Sequence, residues 1–230
     1  MSKRMQKSSS SHLLGTDELG RDRLSCVVYG ILVSLALSIV VVLISGGIGS
    51  FLGMLAGLAG GVVDKVIMWC ADIILAFPGI LLAMAAAAFF KPGPVTLVLI
   101  LTCVGWAGYA RLARAETLKY KHRDFITAAR GYNASTVHIV TGHLIGLVLP
   151  LLIVQVSLDI PGVIISESGL DYLGIGLGAD IPSLGQLISN AQANMFSSPE
   201  GVIIPGIALS MLIISVTFMA EGLKKKKRKF

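Results

Sequence analysis

Apolar stretches long enough to cross a bilayer recur along the chain, separated by short charged or glycine- and proline-rich breaks. A transmembrane helix needs about 20 predominantly apolar residues. The first stretch, Leu24 to Val63, runs 40 residues without a formal charge and could hold two short helices or one long one. Its composition favours one. Val27 to Ile44 is rich in Val, Leu and Ile, whereas Gly49 to Val63 is only 15 residues with five glycines. The second part therefore reads as the extension of a tilted helix whose small residues allow close packing. Further spans are expected at Val66 to Phe90, Val95 to Ala110, Leu144 to Ile165 and Gly201 to Ala220.

The breaks fall between these segments. Lys91-Pro92-Gly93-Pro94 reads as a turn between the second and third spans, and Ser197-Ser198-Pro199-Glu200-Gly201 precedes the last. Pro78, Pro150 and Pro161 lie in or beside apolar segments, which predicts kinks or broken helices there.

Composition leaves room for little else. Of 230 residues, 54% are hydrophobic and only 14% charged, which excludes a sizeable soluble catalytic domain. The formal net charge of +6 has a topological meaning in such a chain. Six Lys and Arg lie between Arg111 and Arg130 and six more in the tail 224–229, so 12 of the 19 basic residues occupy two segments separated by two spans. The positive-inside rule puts both in the cytoplasm. Five spans then place the N-terminal segment, residues 1–23, outside, against the five basic residues that it carries; two spans within Leu24 to Val63 would remove that conflict. The tail, residues 224–230, is expected to meet anionic lipid head groups, with no nucleic-acid role.

The longest stretch that is neither apolar nor turn-like is the loop 111–142. Ala113 to Tyr120 consists of helix formers, and Asp124 precedes a compact helix whose N-terminal dipole it complements. Gly131 or Asn133 can take a left-handed turn, and Ser135 can cap the next helix. A helix, a turn and a second short helix would present a knob to a soluble partner.

Those residues carry a resemblance. Asp124 to His143, DFITAARGYNASTVHIVTGH, resembles the EAA loop of ABC importer permeases. His12 to Arg23 (HLLGTDELGRDR), Pro78 within LAFPGILLA, Gly105 to Glu116 (GWAGYARLARAE) and Glu167 to Gly176 (ESGLDYLGIG) are similar to segments of the dipeptide, oligopeptide and nickel members of that family. The resemblance implies an all-α, polytopic integral membrane protein of the type I ABC importer permease fold. It would have about five transmembrane helices, sit in a prokaryotic plasma (inner) membrane, and keep its N-terminus outside and its C-terminus in the cytoplasm. It further implies transport of peptides or nickel chelates. Coupling would run through Ala128, Ala129, Arg130, Gly131, Tyr132, Asn133, Ala134 and Ser135. The implied partners are a homologous second permease subunit, two ABC ATPase subunits or domains that bind ATP and Mg, an extracytoplasmic substrate-binding protein and membrane lipid. The family usually has one more N-terminal helix, and it has Gly where this chain has Asn133, Pro where it has Gly146, and small or apolar residues at Asp159 and Pro161.

The chemistry on the chain itself is sparse. No Gly-Lys dipeptide occurs, so a Walker A loop is excluded and ATP must bind another polypeptide. HExxH and GxSxG are absent, no catalytic residues are expected, and neither His12, His122, His138 and His143 nor Cys26, Cys70 and Cys103 show metal-ligand spacing. Intramembrane carboxylates remain as candidates. An interfacial or interhelical hydrogen bond is the expectation for Asp72. Asp159, beside Ile160-Pro161-Gly162 where a broken helix would free carbonyls, and Glu167 are candidates for the substrate path. The alternative is an ion-coupled carrier or channel using Asp159 and Glu167.

Overall fold

The computed structural model describes residues 4–10, 12–178 and 180–227, and among these the regular elements are helices, with one isolated bridge between Thr16 and Asp22. The chain-terminal residues 1–3 and 228–230, which belong to the N-terminal segment and the basic tail, lie outside the described residues. The helices are α1 (Arg23–Ala59), α2 (Gly61–Leu75), α3 (Gly79–Ala87), α4 (Pro94–Tyr120), α5 (Asp124–Gly131), α6 (Thr136–Ile139), α7 (Ile145–Tyr172), α8 (Leu184–Ala191) and α9 (Glu200–Lys227). A π-helical turn, Val140–Leu144, joins α6 to α7 without interruption. Four helical stretches are long and apolar enough to cross a membrane, and α2 with α3 forms a fifth candidate bent by 87°.

Helix α1 starts where Asp22 caps it, its carboxylate accepting from the Ser25 N–H at 2.9 Å and the Ser25 hydroxyl at 2.7 Å. Those bonds, with His12 at 3.0 Å, hold the Asp22 carboxyl below the ordinary carboxylate range. The cap is therefore intact at neutral pH and is lost as pH falls through that lowered value. The helix runs as one piece, about 55 Å at 1.5 Å per residue, and ends at Gly60, whose φ is 71°, with Gly61 at φ 58° opening α2 in a new direction. It stops at Ala59, short of the expected Val63, because two consecutive left-handed residues break the hydrogen-bond ladder.

Buried glycines on α1 set its contact with α4. A Cβ at Gly49 would overlap the Trp106 carbonyl oxygen, one at Gly53 the Ala110 carbonyl, and one at Gly57 would lie 3.0 Å from Thr117 Cβ. The two backbones thus meet directly.

The stretch 66–90 is broken at Pro78, as its proline predicted, with α3 leaving α2 nearly at a right angle. Two expectations about the spans change. Helix α4 continues past Ala110 to Tyr120, so the first third of the charged loop belongs to a span helix. Pro150 and Pro161 lie inside an unbroken α7 that runs to Tyr172. A proline removes one N–H, and neighbouring helices hold the segment straight enough to continue; the broken helix expected beside Asp159 does not form. Helix α8, capped by Ser183 accepting from the Gln186 N–H at 3.2 Å, had no counterpart among the expected elements.

Two apolar clusters fill the bundle. One joins Leu37 and Val41 of α1, Ala83 and Ala87 of α3, Leu97 and Leu101 of α4 and Leu170 of α7. The other, toward the end of α1, joins Met54 and Leu58 to Tyr109 and Ala113 of α4 and to the α5–α6 region. Helix α9 packs differently: only 6% of its most apolar window is buried within the chain, and Met211, Phe218 and Met219 are exposed.

The glycine stripe is testable. Gly53→Leu should cost about 1–3 kcal/mol, read as a lower melting temperature in detergent. Gly47→Leu, where an added Cβ meets nothing within 4 Å, should melt like the unsubstituted protein.

Candidate functional site: a helical knob and a polar cleft

The segment after α4 folds by local rules. Asp124 opens α5 and faces its N-terminal dipole. The helix closes with the Ala134 N–H donating to the Ala129 carbonyl at 3.0 Å and the Asn133 N–H to the Arg130 carbonyl at 2.9 Å. This is a Schellman closure, and it requires a left-handed residue at Asn133, whose φ is 60°. Ser135 then caps α6, accepting from the His138 N–H at 3.2 Å.

Two isoleucines hold the knob to the bundle. Ile126 of α5 and Ile139 of α6, both essentially without exposed surface, pack with Met54, Leu58, Tyr109 and Ala113. Burying each contributes about 1.5–3 kcal/mol. Arg130 reaches back, its Nη2 donating at 2.9 Å to the carbonyl of Leu58 near the end of α1. That bond satisfies a carbonyl that the helix end would otherwise leave open. Ala129 and Ala134 lie half-buried against the same cluster, while Ala128, Gly131, Asn133 and Ser135 are exposed. Tyr132 is the most exposed of them at 89%, and Phe125 and Val137 of the same two helices are also exposed. The structure thus brings all eight sequence-selected residues into one knob but divides them: Arg130, Ala129 and Ala134 face the bundle, the others face outward. The isoleucine anchors were not singled out from sequence, where they look like any other apolar residue of the loop.

Two ion pairs tie α2 to α4. Arg114 grips Asp64 with both Nε and Nη2, the latter at 2.6 Å, and Arg111 Nη2 meets Asp72 Oδ1 at 2.5 Å. The partner expected for Asp72 is therefore an arginine on a neighbouring helix.

The two path candidates part company. Asp159 accepts from Gln155 Nε2 at 2.8 Å and lines a cleft of about 290 Å³ with Ser45, Gly105, Tyr109 and Ser166. Glu167 lies farther along α7, fully buried, and does not line that cleft. The two carboxylates do not share that cleft. Glu167 instead meets Asp171 one turn on, a residue that sequence reading passed over. Among the described residues no three His, Cys, Asp or Glu side chains converge on a metal site. His138 and His143 contact edge to face at 6.3 Å between ring centroids.

Residues 49–229 match the family described as binding-protein-dependent transport system inner membrane component. The chain is 33% identical over 214 residues to the dipeptide transport system permease protein DppC of Haemophilus influenzae, covering 93% of this chain and 72% of that one. It is 34% identical over 216 residues to the glutathione transport system permease protein GsiD of Pectobacterium atrosepticum, covering 94% and 72%. It is 31% identical over 222 residues to the oligopeptide transport system permease protein OppC of Mycobacterium tuberculosis, covering 96% and 76%. In fold it is similar to a chain of the MetNI methionine ABC transporter in an inward-facing crystal form, with a TM-score of 0.68, 18% identity, and 88% and 96% coverage.

The turn at Asn133 makes a prediction. Asn133→Val places a β-branched residue at positive φ and should cost about 1–2 kcal/mol locally. Limited proteolysis should then cut between Lys121 and Ser135 faster. Asn133→Gly should leave the cleavage rate unchanged or slow it.

Proposed function

The chain belongs to the binding-protein-dependent transport system inner membrane components, and we propose that it carries short peptides across the inner membrane as one of two permease subunits of an ATP-driven importer. The peptide cargo of its relatives' names supports short peptides over nickel chelates. In this reading the basic loop 111–142 and the C-terminal tail face the cytoplasm, the N-terminal segment faces outside, and an extracytoplasmic binding protein delivers the cargo. ATP and Mg bind the ATPase partners, and no covalent chemistry occurs on this chain.

The observation that carries the coupling assignment is the knob itself: an exposed turn, Gly131-Tyr132-Asn133, on a helix pair whose other face is sunk into the bundle. Docked in a groove on an ATPase subunit, α5 would receive that subunit's movement when the ATPase dimer closes. The load then passes to α1 through Ile126 and the Arg130 to Leu58 bond, and to α7 through Ile139 and the π turn. Inverting a two-state population from 1:99 to 99:1 takes about 5.5 kcal/mol. The two isoleucine anchors together supply about 3–6 kcal/mol, so the knob can bear a load of that order without tearing free. π turns recur at functional sites because they accept a shift in register. Here one lies where the knob merges with the helix that carries Asp159.

Replacing Gly131-Tyr132-Asn133 by bulky charged residues tests the assignment. The expected outcome is a chain that still inserts and folds but fails to retain its ATPase on purification and loses peptide uptake. Unchanged uptake would sink the coupling role.

A further inference from the structure

At the end of α7 farthest from the knob, four oxygen-bearing side chains converge in the protein interior. Glu167 and Ser34 have no exposed surface, and Ser168 and Asp171 have 4% each. Glu167 and Asp171 stand one helical turn apart on α7 and act on each other electrostatically, as does Ser34 of α1 on Glu167. Some of their bonding capacity is used: the Ser168 hydroxyl donates to Glu167 Oε2 at 3.1 Å, and Asp171 Oδ1 accepts from the Leu177 N–H. The remainder is not. Glu167 Oε1, Asp171 Oδ2 and Ser34 Oγ are buried without a hydrogen-bond partner.

Among the described residues the surroundings bring no compensating charge to Glu167. Helix α1 presents Ser34, the start of α8 presents Leu184 and Gly185 packed on α1 and on the Ser168 carbonyl, and the 173–178 turn presents backbone. Among the described residues Asp171 is the charged side chain that acts on Glu167, and α3 and α4 present apolar residues to this part of α7, Ile80 at Gly169 and Leu97 and Leu101 in the cluster with Leu170. Two carboxylates in contact in such a place repel and cannot both stay charged without a cation. We infer that Ser34, Glu167, Ser168 and Asp171 form a site that binds one monovalent cation in common, a proton or Na⁺. Carboxylate and hydroxyl oxygens suit a hard cation and not a soft metal. The cluster is closely packed: a Cβ at Gly176 would overlap the Asp171 carboxyl, and one at Gly185 the Ser168 carbonyl, so the 173–178 turn and α8 lie directly against it. A single positive charge is enough to relieve the repulsion between the two carboxyls. The bound charge would clasp the end of α7 to α1, α8 and the 173–178 turn.

This site is separate from the knob, so its test does not depend on transport. The full chain, with whatever subunits co-purify, is placed in lipid nanodiscs, and its thermal unfolding is followed from mildly acidic to mildly alkaline pH with Na⁺ or with an organic cation. A ligand that binds only the folded state stabilises it. If the cation is a proton, the melting temperature falls by about 2–4 °C as pH rises, and Na⁺ does not restore it. If it is Na⁺, Na⁺ restores the loss at alkaline pH. In both cases Glu167→Gln flattens the dependence. A wild-type protein insensitive to both pH and Na⁺, or a Glu167→Gln variant with unchanged dependence, overturns the inference. Should Glu167→Gln not fold, Ser34→Ala and the carboxyl region of the wild-type infrared spectrum decide. The protonated-carboxyl stretch should diminish with rising pH or added Na⁺ and respond less in Ser34→Ala, and a spectrum that does not change overturns the site.

Discussion

The direct backbone contact between α1 and α4 is the constraint on which the remaining geometry rests. In hydrocarbon there is no hydrophobic gain in bringing two apolar helices together, so association depends on close van der Waals packing, and small residues are what permit it. Gly49, Gly53 and Gly57 of α1 let the carbonyls of Trp106 and Ala110 and the side chain of Thr117 come within touching distance. That contact sets the height of Tyr109 and Ala113 on α4 relative to Met54 and Leu58 on α1. The pocket that these four residues form receives Ile126 and Ile139, and with them the whole knob.

Charge follows the same frame. With α4 placed by α1, Arg111 and Arg114 are presented to α2, where Asp64 and Asp72 meet them. The partly buried Arg114–Asp64 pair lets charge approach the bundle, where a lone arginine or aspartate would be costly, while Arg111 and Asp72 pair at the surface of the chain. At the far end of α7 the balance is different. Glu167 and Asp171 face each other, with two serines and no arginine, and a small cation supplies what a basic residue would. One chain therefore uses two means of neutralising carboxylates, one covalently its own and one borrowed from solution.

How legible these features were follows the range of the interactions behind them. Asn133 at a left-handed turn and Ser135 at a cap were readable because both depend on three or four neighbouring residues. The break at Pro78 was readable for the same reason. Pro161 carries the same local signal, yet α7 runs through it. Whether a proline breaks a helix depends on the helices packed around it, and a sequence does not display those. Helix α8 was missed because its eight residues are too few to show a period and its stability comes from Leu184 and Gly185 set between α1 and α7. Arg130 was readable as part of the knob but not as a strut, since its carbonyl partner, Leu58, is distant in sequence.

The sequence by itself determined the class of molecule. Apolar segments of spanning length, the clustering of basic residues and the loop's helix–turn–helix signals are local or compositional, and bilayer thickness and backbone hydrogen bonding translate them directly into helices. The tertiary structure alone decided which polar residues meet. Asp72 with Arg111, Asp64 with Arg114, Ser34 with Glu167, and the separation of Asp159 from Glu167 depend on the rotation and register of each helix against its neighbours. Those are set by side-chain packing across long sequence separations, where a fraction of a turn decides whether a carboxylate finds an arginine, a serine or another carboxylate.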